Sequence, residues 1–235
     1  MTHGLNAPSV DELAEAVRKF DALFGDMERV LWCLSTNSRT ALLQGDGDSP
    51  ILNQLVWKLR SWWSVQGASR ETGTAMARAL GALEWSPELF EPVNVPHAGG
   101  EEEAVQRVAE LVERAREFGA PRREYSLASK TLHLLLPWRI PVYDSFVRTK
   151  LGIAEPDDPK QAYSRVVHEV FRIARSVATV NPAWMGEVDP RSLFRALDKY
   201  HWWAGGGDGA ASPQVKDPWR VIDELGLERP CPLRA

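Results

Sequence analysis

The sequence predicts an all-α protein, and two observations support this class. Apolar residues recur three and four positions apart over long stretches, as in the set Leu13, Val17 and Phe20, which is the spacing of one helix face. No segment shows the alternation of apolar and polar residues that would predict a sheet. Stretches rich in Gly, Pro, Asp and Ser separate the periodic segments, so we expect about ten helices joined by loops.

The first half of the chain is predicted to contain five helices. Ser9 is a suitable N-cap for the first, because Asp11 and Glu12 follow in its first turn and complement the helix dipole. Asp26 is predicted to begin the second helix, which a Gly/Asp/Ser/Pro-rich loop over residues 44–50 follows. Three further helices are predicted over residues 51–65, 72–85 and 101–118.

The most informative stretch covers residues 124–152. On a helix, Leu127, Lys130, Thr131 and Leu134 share one face, and three more leucines cover the other sides. A helix that is apolar nearly all round is typical of the middle of a fold. Lysine is rarely buried there without a partner, so Lys130 is a candidate functional residue.

The same stretch contains strong signals for a turn and a second, short helix. Pro137 and Pro141 end the apolar helix and force an extended segment. Asp144 then stands where an N-cap is expected, ahead of a helix over residues 145–151 that Gly152 ends. The apolar helix continues for about 9 Å beyond Lys130, and seven extended residues span at most about 25 Å. We therefore expect the turn to bring Asp144 back beside Lys130.

The last third of the chain predicts three more helices. One opens at Pro159 and runs through Ala174, and another opens at Pro190 and runs to Tyr200. The Gly-rich run over residues 205–213 is predicted to be a loop, and a short helix follows Asp217.

Composition excludes several classes of function. The chain is 44% apolar and 26% charged, and no apolar run approaches the length of a membrane span. Two cysteines are too few for a disulfide framework or a cysteine metal site, so we expect a reducing, cytoplasmic setting. No metal-ligand or phosphate-loop motif is present, and the sequence predicts neither a metal nor a cofactor.

The charge of the chain is unevenly distributed. The net charge is −4, but residues 122–150 contain six basic side chains and two acidic ones. A local basic surface matters more for phosphate contact than the sum over the chain. This segment is therefore the one in which we expect nucleic-acid contacts.

The pairing of an amine with a carboxylate suggests a reaction class. Burial among leucines disfavours the charged form of an amine, and a neutral lysine can attack an electrophilic carbon to form a Schiff base. A carboxylate beside it can take up the proton or stabilise a cationic, sugar-like transition state.

The segment Ser129-Lys-Thr-Leu-His-Leu-Leu-Leu-Pro-Trp-Arg-Ile-Pro-Val-Tyr-Asp144 resembles the lysine–aspartate segment of the helix–hairpin–helix DNA glycosylase superfamily. It is closest to a group of bacterial proteins with the fold of 8-oxoguanine DNA glycosylase. The resemblance implies a two-lobed helical fold in one domain of residues 1–235. One lobe would cover about residues 26–136, and the other about residues 1–25 together with 137–235.

The resemblance also implies roles for individual residues. Lys130 would attack C1′ of an extruded nucleotide, and Asp144 would assist. The protein would then be a monomeric DNA N-glycosylase with lyase activity, acting in base excision repair on a damaged or modified base, such as an oxidised purine, in double-stranded DNA. Candidates for the base pocket are His133, Trp62, Trp63, Trp202 and Trp203, and candidates for phosphate contact are Ser129, Arg139 and Arg148.

Other interpretations of these residues remain open. Lys130 can extend to the surface, Asp144 can be a plain helix cap, and His133 can be a packing residue. The family's hairpin carries Gly-x-Gly before the lysine, whereas residues 125–129 contain no glycine. An alternative function is therefore a catalytically inactive module that binds nucleic acid or a protein partner in a defence or stress system. A purely structural helical protein is the third interpretation.

Overall fold

The computed structural model describes residues 7–62, 70–91, 100–116, 124–154, 158–180, 193–207 and 215–229. These residues are helical or irregular, with no strand among them, so the all-α class is confirmed. The helices are α1 (Val10–Leu43), α2 (Pro50–Trp62), α3 (Arg70–Gly81), α4 (Glu101–Arg116), α5 (Glu124–Leu135), α6 (Ser145–Lys150), α7 (Pro159–Val180), α8 (Leu193–Ala204) and α9 (Arg220–Glu224), and a 3₁₀ turn lies at Pro87–Phe90.

Helix α1 begins as predicted but does not break at Asp26. The Ser9 hydroxyl caps the backbone of Glu12, and the Glu12 carboxylate accepts the backbone N–H of Ser9 at 2.8 Å, which completes a capping box. The helix then continues for 34 residues, so the predicted start of a second helix at Asp26 is wrong. Apolar residues on both sides of Gly25 lie in the core, and their burial outweighs the low helix propensity of one glycine.

The apolar helix α5 lies inside the fold, as its pattern predicts. Every residue from Leu127 to Leu136 is buried. Helices α1, α2 and α4 pack around α5, and the Ser35 hydroxyl of α1 donates to the carbonyl oxygen of Leu134 at 2.6 Å. The central position of α5 fixes the location of Lys130 within the protein.

Helix α8 is at the centre of a second group of helix contacts. It packs against α1, α6 and α7, and α7 in turn packs against α4. Helix α1 contacts both α8 and the pair α2 and α5, so it runs continuously through the proposed boundary near residue 26. The two-lobe division stays a prediction.

Candidate functional site

Lys130 and Asp144 form an ion pair that is largely buried. The Lys130 Nζ lies 3.1 Å from Asp144 Oδ2, and the two side chains are 10% and 11% exposed. Hence the prediction that the proline-containing turn returns Asp144 to Lys130 is confirmed. An ammonium and a carboxylate that are both largely withdrawn from water interact more strongly than a surface pair.

The position of Asp144 is set by the helix that follows it. Its Oδ1 accepts the backbone N–H of Val147 at 2.9 Å, so Asp144 is the N-cap of α6, as the sequence predicts. The two carboxylate oxygens thus have different partners, one in the backbone and one on Lys130. Capping and contact with the lysine occur together.

Three buried hydrogen bonds hold the turn between α5 and α6. The Ser129 hydroxyl accepts the backbone N–H of Tyr143 at 3.0 Å. The Tyr163 hydroxyl donates to the carbonyl oxygen of Pro141 at 3.1 Å. His133 Nδ1 lies 2.6 Å from the carbonyl oxygen of Ile140 and donates to it. These bonds fix the backbone immediately before Asp144 and therefore orient its carboxylate.

A chain of charges, buried except for Asp21, runs from α1 to α8. Arg195 is fully buried, and its Nε donates to Glu28 Oε1 at 3.0 Å while its Nη1 donates to Asp198. Lys199, also buried, lies 3.4 Å from Glu28 and 2.8 Å from Asp21. Buried charges need such partners because desolvation of a lone ion is costly.

Two ionisable groups of α8 respond to the lysine–aspartate pair. Burial raises the pKa of Asp198 to about 6, and the charge of Asp144 raises it too, while Arg195 and Lys130 oppose this shift. Burial and then the charge of Lys150 lower the pKa of His201 to about 4, while the charge of Asp144 opposes this shift. At neutral pH, Asp198 is therefore ionised and His201 is neutral.

The histidine predicted for the base pocket lies inside the core. His133 is fully buried, with its ring 6.4 Å from that of Trp32. Burial lowers its pKa to about 3, so the ring is neutral at neutral pH. With Nδ1 donating to Ile140, its Nε2 is the acceptor, and this atom is buried without a hydrogen-bond partner in the described part of the chain.

The predicted tryptophans have packing partners of their own. Trp202 is 9% exposed and meets Phe20 and Phe24 of α1 edge-on, at 5.3 and 5.5 Å between centroids. Trp203 is half-buried, with Lys19 Nζ 4.6 Å from the centroid of its ring. The base-stacking role of both indoles stays a prediction. Trp62 is buried at the end of α2, and Trp63 lies outside the described residues.

The three phosphate candidates differ in availability. Ser129 is fully buried and its hydroxyl is bonded to the backbone of Tyr143, so an external phosphate cannot reach it in this conformation. Arg139 donates to the carbonyl oxygens of Leu89 and Glu88 at 3.0 and 2.9 Å. Arg148 is half-buried, with its guanidinium carbon 5.7 Å from the centroid of the Tyr143 ring. Arg148 is therefore the best placed of the three for phosphate contact.

The buried charge network is not among the features that the sequence predicts. A signal was present: Glu28 shares one face of α1 with Phe24 and Leu31, so a carboxylate interrupts an apolar stripe. Arg195 and Asp198 are likewise three residues apart among apolar neighbours. A charge on an apolar stripe implies a buried partner, although the pattern does not identify that partner.

Comparison with known proteins gave no relative: no family model, curated protein or solved structure matches the chain. Among the described residues, no helix is long and apolar enough to span a membrane. No group of His, Cys, Asp and Glu side chains in those residues has an arrangement that could hold a metal ion.

Proposed function

We propose that the protein is a DNA glycosylase that excises a modified base through a Schiff base at Lys130. The observation that carries the proposal is the 3.1 Å contact between the Lys130 amine and the Asp144 carboxylate, in a site largely withdrawn from water. The resemblance of residues 129–144 to the lysine–aspartate segment of helix–hairpin–helix glycosylases supports the same chemistry. Modified DNA is the proposed partner.

The proposed reaction needs the amine in its neutral form. Its nitrogen attacks C1′ of an extruded nucleotide, the C1′–base bond breaks, and the base leaves with the bonding electrons and takes a proton from water. The nitrogen then gives up its two protons, one to the hydroxide left by that water and one to the ring oxygen as the sugar ring opens, which leaves an imine between Lys130 and C1′. Asp144 lies beside the amine, where its negative charge can stabilise the cationic sugar of the transition state.

The arrangement around Asp144 supports a catalytic use of its charge. Preorganised charges accelerate reactions because they need no rearrangement when charge develops. The N–H of Val147 and the bond between Ser129 and Tyr143 already fix the carboxylate and its backbone. Arg148 lies in α6, four residues after Asp144. It can contact the phosphate next to the extruded nucleotide.

The test is covalent trapping by borohydride on duplexes that carry an abasic site or an oxidised purine. Borohydride reduces an imine to a stable amine, so the wild-type protein should form a covalent adduct that maps to Lys130. Lys130→Gln should abolish the adduct, and Lys130→Arg should too, although arginine can retain the ion pair with Asp144. Lys160→Gln, at an exposed lysine of α7, is the matched control and should trap normally.

The same experiment distinguishes the alternatives. A catalytically inactive binding module would bind the duplexes reversibly, with affinity falling as salt increases, and would give no adduct. A purely structural protein would neither bind nor trap. An adduct that forms equally well with Lys130→Gln would contradict the proposed nucleophile.

A further inference from the structure

Ser129 joins the two segments that supply the lysine and the aspartate. It immediately precedes Lys130 in α5, and Tyr143 immediately precedes Asp144. The Ser129 hydroxyl accepts the backbone N–H of Tyr143 at 3.0 Å, across 14 positions of the chain. It can donate in return to the carbonyl oxygen of Ser126 at 3.2 Å or to that of Tyr143 at 3.5 Å. One side chain therefore links the residue before the amine to the residue before the carboxylate.

The α5 end of this link is held firmly. Ser129 is fully buried, as are its neighbours Leu127 and Ala128, so no water competes for its hydroxyl. The same helix is tied to α1 by the bond from Ser35 to the carbonyl oxygen of Leu134. Because protein interiors are closely packed, Ser129 cannot move without disturbing the core. It is a fixed point from which the turn is measured.

The Tyr143 end is held by its ring and by its backbone. The ring meets that of Tyr163 edge-on at 5.8 Å between centroids and that of Tyr125 at 6.0 Å. These contacts place the side chain, whereas the peptide group is oriented by the bond from its N–H to Ser129. A buried N–H that loses its acceptor is costly, so without the hydroxyl we expect the turn to shift.

We propose that Ser129 is a positioning residue that sets the separation between the Lys130 amine and the Asp144 carboxylate; its catalytic consequence rests on the proposed function. Asp144 caps α6 through Oδ1 and faces Lys130 through Oδ2 at 3.1 Å. A shift of the preceding peptide would therefore move Oδ2 away from the amine. Ser129 acts through Asp144 and does not touch the substrate, so this role replaces the phosphate contact that the resemblance implies.

The proposal predicts a defect in rate and not in affinity. A displacement of about 1 Å among reacting groups can slow a reaction by about 10²-fold. Affinity for a duplex depends mainly on phosphate contacts at the surface, which a fully buried hydroxyl does not make. A phosphate contact by Ser129 would have the opposite effect, weakening duplex binding and leaving the rate at saturation unchanged.

The first measurement is carbodiimide crosslinking of the protein alone, which joins an amine to a carboxylate in direct contact. Peptide mass spectrometry quantifies the product between Lys130 and Asp144, and the exposed pair of Lys19 and Glu15, 3.0 Å apart, is the internal reference. The proteins are wild type, Ser129→Ala and the matched control Ser38→Ala. Ser38 is also fully buried, but its hydroxyl donates to Leu34 of its own helix at 2.8 Å.

The second measurement is borohydride trapping of the same proteins on an abasic duplex, with the rate at saturation and the duplex affinity determined separately. Ser129→Ala should lose most of the crosslink between Lys130 and Asp144. It should trap about 10²-fold more slowly at saturation, with unchanged affinity. Ser38→Ala should match the wild type in both measurements, and the reference crosslink should be equal in all three proteins.

Three results overturn the proposal. Wild-type crosslinking in Ser129→Ala, even with a lower melting temperature, would leave Ser129 as a structural residue. Weaker duplex binding with an unchanged saturating rate would make it a phosphate contact. Equal losses in Ser38→Ala would show a general effect of removing a buried hydroxyl. If Ser129→Ala does not fold, Ser129→Cys replaces it: a thiol is a weak acceptor, so intermediate values support the proposal and wild-type values overturn it.

The two measurements separate this proposal from the function on which it rests. Loss of the crosslink in Ser129→Ala, together with no wild-type adduct on any duplex, supports the positioning role and overturns the glycosylase. A wild-type adduct that Ser129→Ala forms equally fast supports the glycosylase and overturns the role of Ser129.

Discussion

At the scale of single residues, Asp144 has two separable tasks, because each of its carboxylate oxygens has a different partner. The capping oxygen accepts the N–H of Val147, and the other faces Lys130 at 3.1 Å. Asparagine keeps an oxygen for the cap and removes the charge. Asp144→Asn should therefore keep the cap but leave the largely buried Lys130 amine without its partner, at a cost in stability of about 3 kcal/mol, and slow base release by about 10²-fold.

The measurement is a pair of assays on each variant: thermal melting, and single-turnover release of the base from a modified duplex. Asp144→Ala is the informative comparison, because alanine removes the cap as well as the charge and should lower the melting temperature further. Base release by Asp144→Asn at the wild-type rate would leave Asp144 as a helix cap alone.

The residues of the site differ in how well the sequence predicts them. Lys130 and Asp144 are separated by one short turn, so helix rise and the reach of an extended chain suffice to bring them together. Arg195 and Glu28 are 167 residues apart, and only the packing of α1 on α8 decides that they meet. Propensity and periodicity carry no information on that distance. The sequence therefore predicts the local pair and misses the network.

At the scale of helices, the contact between α8 and α6 depends on the absence of a side chain at Gly205. An added Cβ would meet backbone oxygens of Phe146 and His201, which cannot move aside as the end of a flexible side chain can. Gly205→Ala should therefore push α8 away from α6, with a loss of about 1–3 kcal/mol. It should also reduce trapping at Lys130, because Asp144 is the N-cap of α6.

Gly152→Ala is the matched control for this contact. Gly152 follows α6 and has a φ of 65°, but nothing lies within 4 Å of an added Cβ. Its replacement should cost about 1 kcal/mol of stability through backbone strain alone and leave trapping unchanged. Urea unfolding and borohydride trapping of both variants are the measurements. Equal trapping in the two would show that the spacing between α8 and α6 is not critical.

The uninterrupted α1 leads to a prediction about Gly25. The sequence predicts a second helix that begins at Asp26, but burial on both sides of the glycine outweighs this local preference. A Cβ at Gly25 would have its nearest neighbours at 3.9 and 4.0 Å, which is ordinary contact. Gly25→Ala should therefore stabilise the protein by about 0.5–1 kcal/mol.

Denaturant unfolding measures this gain, and Gly47→Ala is its counterpart. At Gly47 an added Cβ would lie 2.6 Å from the Cα of Arg78, so the same substitution should destabilise the protein. Destabilisation by Gly25→Ala would mean that the helix is bent or broken there in solution.

At the scale of the whole molecule, three buried groups make stability depend on pH in opposing directions. The pKa values of His133 and His201 fall from 6.5 to about 3 and about 4 on folding. The unfolded chain therefore binds protons at these histidines first, and their contribution to stability is lost as pH falls below 6.5. The pKa of Asp198 rises from 3.8 to about 6, so its contribution is present below 3.8 and is lost as pH rises through 6.

The balance of these three groups predicts the acid behaviour of the protein and of two variants. Near pH 5 the unfolded chain holds two more protons on the histidines and the folded protein holds one more on Asp198, a difference of about one proton. Stability should therefore fall by about 1.4 kcal/mol for each pH unit of acidification in this range. Asp198→Asn should make the fall of stability with pH about twice as steep, because the proton that the folded protein binds at Asp198 is lost. His201→Gln should nearly abolish the fall.

Urea unfolding of the three proteins between about pH 4.5 and about pH 6 measures the slopes. Equal slopes in all three would contradict the burial of these groups in the folded protein.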